Sequence, residues 1–178
     1  MITYFMTNKK ENILQTALEL FASEGYASVS TNSIAKKAGV SEGLIFRHFE
    51  SKKGLLDAIV KDGEQRMKEV LTPFFQAMSP GEIIRTFILL PFQTEESEYD
   101  YWKLQYKLKW EPEYNAPEKM KPVEEKLAQA FRELEFENPV LEAQLLIQIF
   151  DSIAVGILRD GKAGQEPLLQ LLLTKYDL

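Results

Sequence analysis

An all-α protein is expected from three features of the sequence. Apolar residues recur every three or four positions along almost the whole chain. No stretch alternates apolar and polar residues between paired turn signals, as strands would. Serine, asparagine, proline and glycine also stand where helices of ordinary length would start and stop. Hydrophobic residues make up 45 % of the 178 positions and charged residues 27 %, enough for a real core in one or two domains.

The elements follow in order. A first helix is expected from about Lys9 to Glu24. Ile13, Ala17, Leu20 and Phe21 share one face of it, broadened by Leu14 and Leu18. Asn8 and Glu11 fit an N-cap and its N3 partner, and Gly25 fits a helix-ending glycine. A second helix starts near Ser30 or Thr31 and ends at Gly39. A third starts at Ser41. A fourth starts at Ser51 and runs to about Leu71. Ser79-Pro80-Gly81-Glu82 reads as a capped start with proline at N1, and the run it opens ends near Pro91. Further helices span about Ser97–Trp110 and Pro117–Phe136. Asn138-Pro139 opens one that ends near Gly161, and Glu166-Pro167 opens the last. That is about nine helices, a short N-terminal trio and a longer remainder, with a boundary near Lys53.

Composition excludes several chemistries. There is no cysteine, so disulfides and thiolate metal sites are ruled out, and His48 is the only histidine. No metal and no cofactor are expected. Gly39-Val40-Ser41-Glu42-Gly43 matches the Gly-x-Ser-x-Gly nucleophile elbow of hydrolases, but a helix precedes it and His48 cannot approach Ser41 as a base. No catalytic residues are expected either. Glu95, Glu96, Glu98 and Asp100 form an acidic run that reads as solvated.

The net charge is −6, unfavourable for a simple nucleic-acid binder. Its distribution is uneven. Residues 1–53 carry a balance of +2 and residues 54–178 a balance of −8. An acidic body would direct DNA to the head. Met1–Lys10 is too short and polar for a secretory signal. Val140–Leu158 is apolar but carries Glu142, Gln144, Gln148 and Asp151, so a membrane crossing would be costly. A cytoplasmic protein with no membrane association is expected. Met1–Met6 reads equally as an arm on DNA, a disordered tail or a start upstream of a true initiator at Met6.

The segment from Thr31 to Leu56 carries the functional argument. Ile34, Ala35 and Ala38 give the second helix a narrow face that allows a close crossing. Gly39 permits the left-handed backbone of a sharp turn. Val40 and Ile45 are placed to staple the start of the third helix across Ser41. Ile45 and Phe49 bury one side of that helix, and Glu42, Gly43, Phe46, Arg47 and His48 face outward. Gly43 costs helix stability, which makes sense where a partner must approach the backbone. Lys52 and Lys53 oppose the dipole at the start of the fourth helix. A phosphate there would turn the penalty into attraction; two solvated lysines are the other reading.

These residues resemble the TetR family of bacterial regulators. The resemblance rests on Ala17-Leu18-Glu19-Leu20-Phe21 with Gly25-Tyr26, on Ile34-Ala35-Lys36-Lys37-Ala38-Gly39-Val40-Ser41, on Gly43-Leu44-Ile45-Phe46-Arg47-His48-Phe49 and on Ser51-Lys52. It spans about Lys9 to Leu56, a third of the chain. It implies a helix-turn-helix DNA-binding domain at 1–53 and a helical ligand-binding and dimerisation domain at 54–178. It implies phosphate contacts from Thr31 and Lys52, with Ser41 and Gly43 at the tip of the recognition helix and Phe46, Arg47 and His48 on its exposed side. The family usually has tyrosine where this chain has Phe46, and a phenyl ring cannot make the hydroxyl's phosphate bond. Arg47 has two readings, guanine recognition and a phosphate or solvent contact.

In the body, Tyr99, Trp102, Tyr106 and Trp110 recur at helical spacing. That face is either core or the wall of a small-molecule pocket, for which Met67, Phe87, Phe131 and Phe150 are further candidates. The helix from Pro139 is apolar on two sides, with Leu141, Leu145 and Ile149 on one and Ile153 on the other. The last helix adds Leu168, Leu169, Leu171, Leu172 and Leu173. Two such helices per subunit suit a homodimer interface; a deeply buried central helix is the other reading. The expected function is a dimeric repressor released from double-stranded operator DNA by a hydrophobic or aromatic effector. The alternative is a helical small-molecule-binding or protein-interaction domain with lost or altered DNA binding.

Overall fold

The computed structural model describes residues 2–114 and 116–178, with side chains described from Lys9 onward. It is all-α: the described residues hold nine α-helices and no strand. They are α1 (Ile2–Glu24), α2 (Thr31–Ala38), α3 (Glu42–Phe49), α4 (Lys52–Gln76), α5 (Pro80–Gln93), α6 (Tyr99–Leu108), α7 (Lys121–Glu133), α8 (Pro139–Asp160) and α9 (Glu166–Lys175), with short 3-10 turns before α6, α7 and α9. The first helix differs from expectation at its start. It begins at Ile2 rather than Lys9, so Asn8 lies inside the helix rather than at its start. Met1 and the side chains of the expected arm lie outside the described residues.

The chain forms two compact units. The first is Met1–Met67 with Ser97–Pro112, and the second is Lys68–Glu96 with Glu113–Leu178. The first therefore continues past Lys53 and takes in α6. The physical reason lies on α6 itself, where Tyr101, Leu104 and Leu108 form the buried face and α6 packs on α1. Periodicity finds such a face but does not say which helix covers it. Gly63 in α4 makes room for this packing: a Cβ there would overlap the Tyr101 ring. Arg66 donates from Nε to Asp62 (2.8 Å) and from Nη1 to Glu98 (2.6 Å), so part of the acidic run is ion-paired rather than merely solvated.

The core of the first unit is built from Ile13, Ala17, Phe21, Ile34, Ile45, Leu55 and Leu56, all fully or almost fully buried. Burying an isoleucine, leucine or phenylalanine side chain contributes roughly 1.5–3 kcal/mol. In the second unit α7 and α5 both pack on α8, whose inward face is Ala143, Leu146, Ile153, Gly156 and Ile157. Phe74, Phe87, Leu127 and Phe131 fill its interior. Ser79 and Glu82 form the expected capping box at the start of α5, with proline at N1. By length and composition alone α8 is apolar enough to cross a membrane.

Candidate nucleic-acid interface

Local sequence explains how α2 and α3 are set. Ser30 caps α2 reciprocally with Ser33. Asn12 of α1 donates to the Ala38 carbonyl at the other end (2.8 Å), and Glu19 pairs with Lys37 (3.1 Å). Gly39 then takes φ 65°, and its left-handed turn reverses the chain as expected from the sequence. Ser41 precedes α3 in an extended conformation but makes no side-chain cap. Ile45 and Phe49 face inward, four residues apart. The chain leaves α3 through Glu50 at φ 66°, a left-handed residue that is not glycine and that nothing in the sequence signals.

The outward side of α3 presents Gly43, Phe46 and Arg47, all exposed. Phe46 keeps 46 % of its surface in solvent. A Cβ added at Gly43 would meet nothing within 4 Å, so no internal packing requires glycine there. His48 sits differently. Its Nε2 is buried and finds no hydrogen-bond partner among the described residues. Its ring lies 6.1 Å from that of Phe49. The expected outward orientation of His48 is thus corrected: on an eight-residue helix with two inward residues, the position beside Phe49 falls at the edge of the buried face.

The expected phosphate anchors are tied inward. Thr31 Oγ1 donates to Glu42 Oε1 (2.6 Å), joining the first turns of α2 and α3. Lys52 Nζ donates to the carbonyls of Tyr26 and Val29, 2.8 Å each, and sits 4.3 Å from the Tyr26 ring centroid. Those bonds hold the connection between α1 and α2. An ammonium has three donors, so one N–H of Lys52 remains beyond these two. Lys107 of α6, which nothing in the sequence singles out, plays a similar part. It donates to the Ala22 and Ser23 carbonyls at the C-terminal end of α1.

A family model for bacterial regulatory proteins of the tetR family matches residues 13–59. Over these residues the chain is similar to the TetR family. The regulator YvkB of Bacillus subtilis is 40 % identical over 65 residues, 36 % of this chain and 33 % of that protein. The regulator AcrR of Shigella flexneri is 40 % identical over 73 residues, 41 % of this chain and 34 % of its own length. The chain thus matches about a third of the length of these relatives. Solved structures extend the likeness in fold. One, of a Saccharomonospora viridis protein in complex with choline, aligns with TM-score 0.71 at 19 % identity over 94 % of this chain and 96 % of that one. Another, AibR in complex with isovaleryl coenzyme A and operator DNA, aligns with TM-score 0.63 at 21 % identity over 82 % and 85 %.

The remaining candidates separate into the two units. Met67, Tyr99, Trp102 and Tyr106 are half-buried in the first. Trp110 does not join them; it lies beyond the end of α6 and is 87 % exposed. In the second, Phe87 and Phe150 stack with centroids 4.8 Å apart, whereas Phe131 packs on Phe136 and Tyr176. Leu141 (62 % exposed) and Leu145 lie on the outer side of α8, and Leu168 and Leu171 (61 %) on that of α9. Ile149 is half-buried. Ile153 and Leu172 are buried inside their own unit, so they are not open to a partner as their spacing leads one to expect. An inward and an outward apolar face cannot be told apart by composition. Leu171, another leucine of the last helix, and Val155 stand exposed as well.

Proposed function

We propose that the chain is a ligand-responsive repressor that binds double-stranded operator DNA through α3. The observation that carries this reading is the outward Gly43–Phe46–Arg47 side of α3, set by a left-handed turn at Gly39 within the segment the family model matches. Residues 1–53 form the DNA-binding domain in this reading and residues 54–178 the ligand-binding and dimerisation domain. Thr31 and Lys52 lie beside phosphates, with Ser41 and Gly43 nearest the groove and Arg47 at a base edge or phosphate. Outer leucines Leu141, Leu145, Leu168 and Leu171 favour a homodimer, and two heads suit two half-sites. The effector is a small apolar or aromatic molecule. Support comes from the fold neighbours, one solved with choline and one with isovaleryl coenzyme A and operator DNA. An effector acts only through different affinities for the DNA-competent and DNA-incompetent states. The protein works in the cytoplasm and carries no catalysis of its own.

Selection of bound duplexes from a random pool tests the reading. Recovery of a two-fold symmetric sequence, with binding weakened by Arg47→Ala, is the expected result. A pool that never enriches favours the second reading, a helical ligand-binding or interaction domain without DNA recognition. That second reading draws on the inward bonds of Thr31 and Lys52 and on the missing hydroxyl at Phe46.

A further inference from the structure

We propose that Phe46 makes this protein a reader of thymine methyl groups, so that its half-site carries a thymine beside Gly43 and Phe46. The inference rests on the DNA-binding reading above. Among the described residues up to Met67, Phe46 is the one large apolar side chain that stands out to solvent. It lies three residues from Gly43 and beside Arg47, on the exposed side of α3. Gly43 leaves that side without a Cβ, and open space surrounds the place where one would stand. The surface is therefore a flat backbone patch flanked by a phenyl ring and a guanidinium.

In the major groove, thymine alone of the four bases offers a methyl group, at C5. A phenyl ring has no hydrogen-bond donor or acceptor with which to read the other edge atoms. Three of the polar candidates are otherwise engaged. Thr31 Oγ1 is bonded to Glu42, Lys52 Nζ to two carbonyls, and His48 Nε2 is buried. On the outward side of α3, sequence reading then falls to Arg47 through hydrogen bonds and to Phe46 through apolar contact. Removing one buried methyl group weakens binding about three- to five-fold.

The experiment uses the full chain and a duplex enriched from a random pool. Each thymine of the half-site is replaced in turn by uracil, which lacks only the methyl group. At one position wild type is expected to lose about three- to five-fold in affinity. Phe46→Ala is expected to bind thymine DNA more weakly and to show no further loss with uracil there. Phe46→Tyr keeps the ring and is expected to keep the methyl preference. Wild type binding every uracil duplex as tightly as the thymine one would overturn the inference while leaving DNA binding intact. So would an undiminished thymine preference in Phe46→Ala. Failure of the pool to enrich overturns the DNA-binding reading itself, and this inference with it. The uracil series needs no variant, so the result does not depend on how Phe46→Ala folds.

Discussion

Gly43→Ala separates a groove-facing helix from an ordinary surface helix. Gly43 is in the first turn of α3, and a Cβ there would meet nothing within 4 Å. Its φ is not in the left-handed region, so alanine fits without backbone strain. Alanine in a helix is favoured over glycine by about 0.5–1 kcal/mol. For a chain of this size that raises the melting temperature by about 1–4 °C. DNA binding should move the other way. If the backbone at Gly43 approaches a base pair, the added methyl pushes α3 outward and loosens the contacts of Phe46 and Arg47 together. Losing the worth of even one base-edge contact, about 1 kcal/mol at the low end, costs at least about five-fold. The assay pairs calorimetry with a DNA titration at fixed salt. A variant that is more stable and binds as well as wild type would refute the close approach. Loss of both stability and binding would refute the premise that the site is open.

Three further outcomes are expected. Lys52→Met removes the bonds to the Tyr26 and Val29 carbonyls, so thermal stability should fall by about 1–3 kcal/mol along with DNA affinity; an unchanged melt would leave a phosphate contact as its sole role. Gly63→Ala forces a methyl against the Tyr101 ring and should destabilise by about 1–3 kcal/mol, a loss that Tyr101→Ala in the same chain should partly relieve in a double-mutant cycle. Burial pushes the Tyr101 and Tyr176 phenols above their ordinary value of 10.0, helped at Tyr176 by Glu142. The folded chain then holds those protons where the unfolded chain releases them, so their stability is present below pH 10.0 and is lost as pH rises beyond it. Tyr101→Phe and Tyr176→Phe should each flatten that alkaline decline in urea titrations.

The scaffold of the head was legible because its signals are local. Gly39 announces its turn through the residues on either side of it, and Ile45 and Phe49 announce their face through spacing alone. Helix starts at Ser30 and Ser79 were legible for the same reason. What escaped depends on partners far away in sequence. Lys107 reads as an ordinary surface lysine until α6 meets the end of α1, 84 residues earlier at Ser23. Glu50 takes a positive φ that glutamate does not favour and that no neighbouring residue announces. Ile153 and Leu172 looked the same as Leu141 and Leu168, since spacing reveals an apolar face but not what lies over it.

That difference bears on the recognition side of α3. The residues that position it, Ile34, Ala35, Ile45 and Phe49, are buried, so their roles follow from packing. The residues that would read DNA are exposed, and their roles depend on a surface outside the chain. Thr31 and Lys52 fall between the two groups. Their polar atoms serve the fold through Glu42 and the Tyr26 and Val29 carbonyls, while their place in the sequence puts them at the flanks of the recognition helix. A hydroxyl bonded to a carboxylate must give up that bond to reach a phosphate. Glu42 would then stand unpaired near the DNA backbone, which is unfavourable for two like charges. Phosphate binding at Thr31 therefore costs more than its position suggests. That cost shifts weight onto Phe46 and Arg47, the two outward side chains that give up no internal hydrogen bond seen in the structure when they meet a groove.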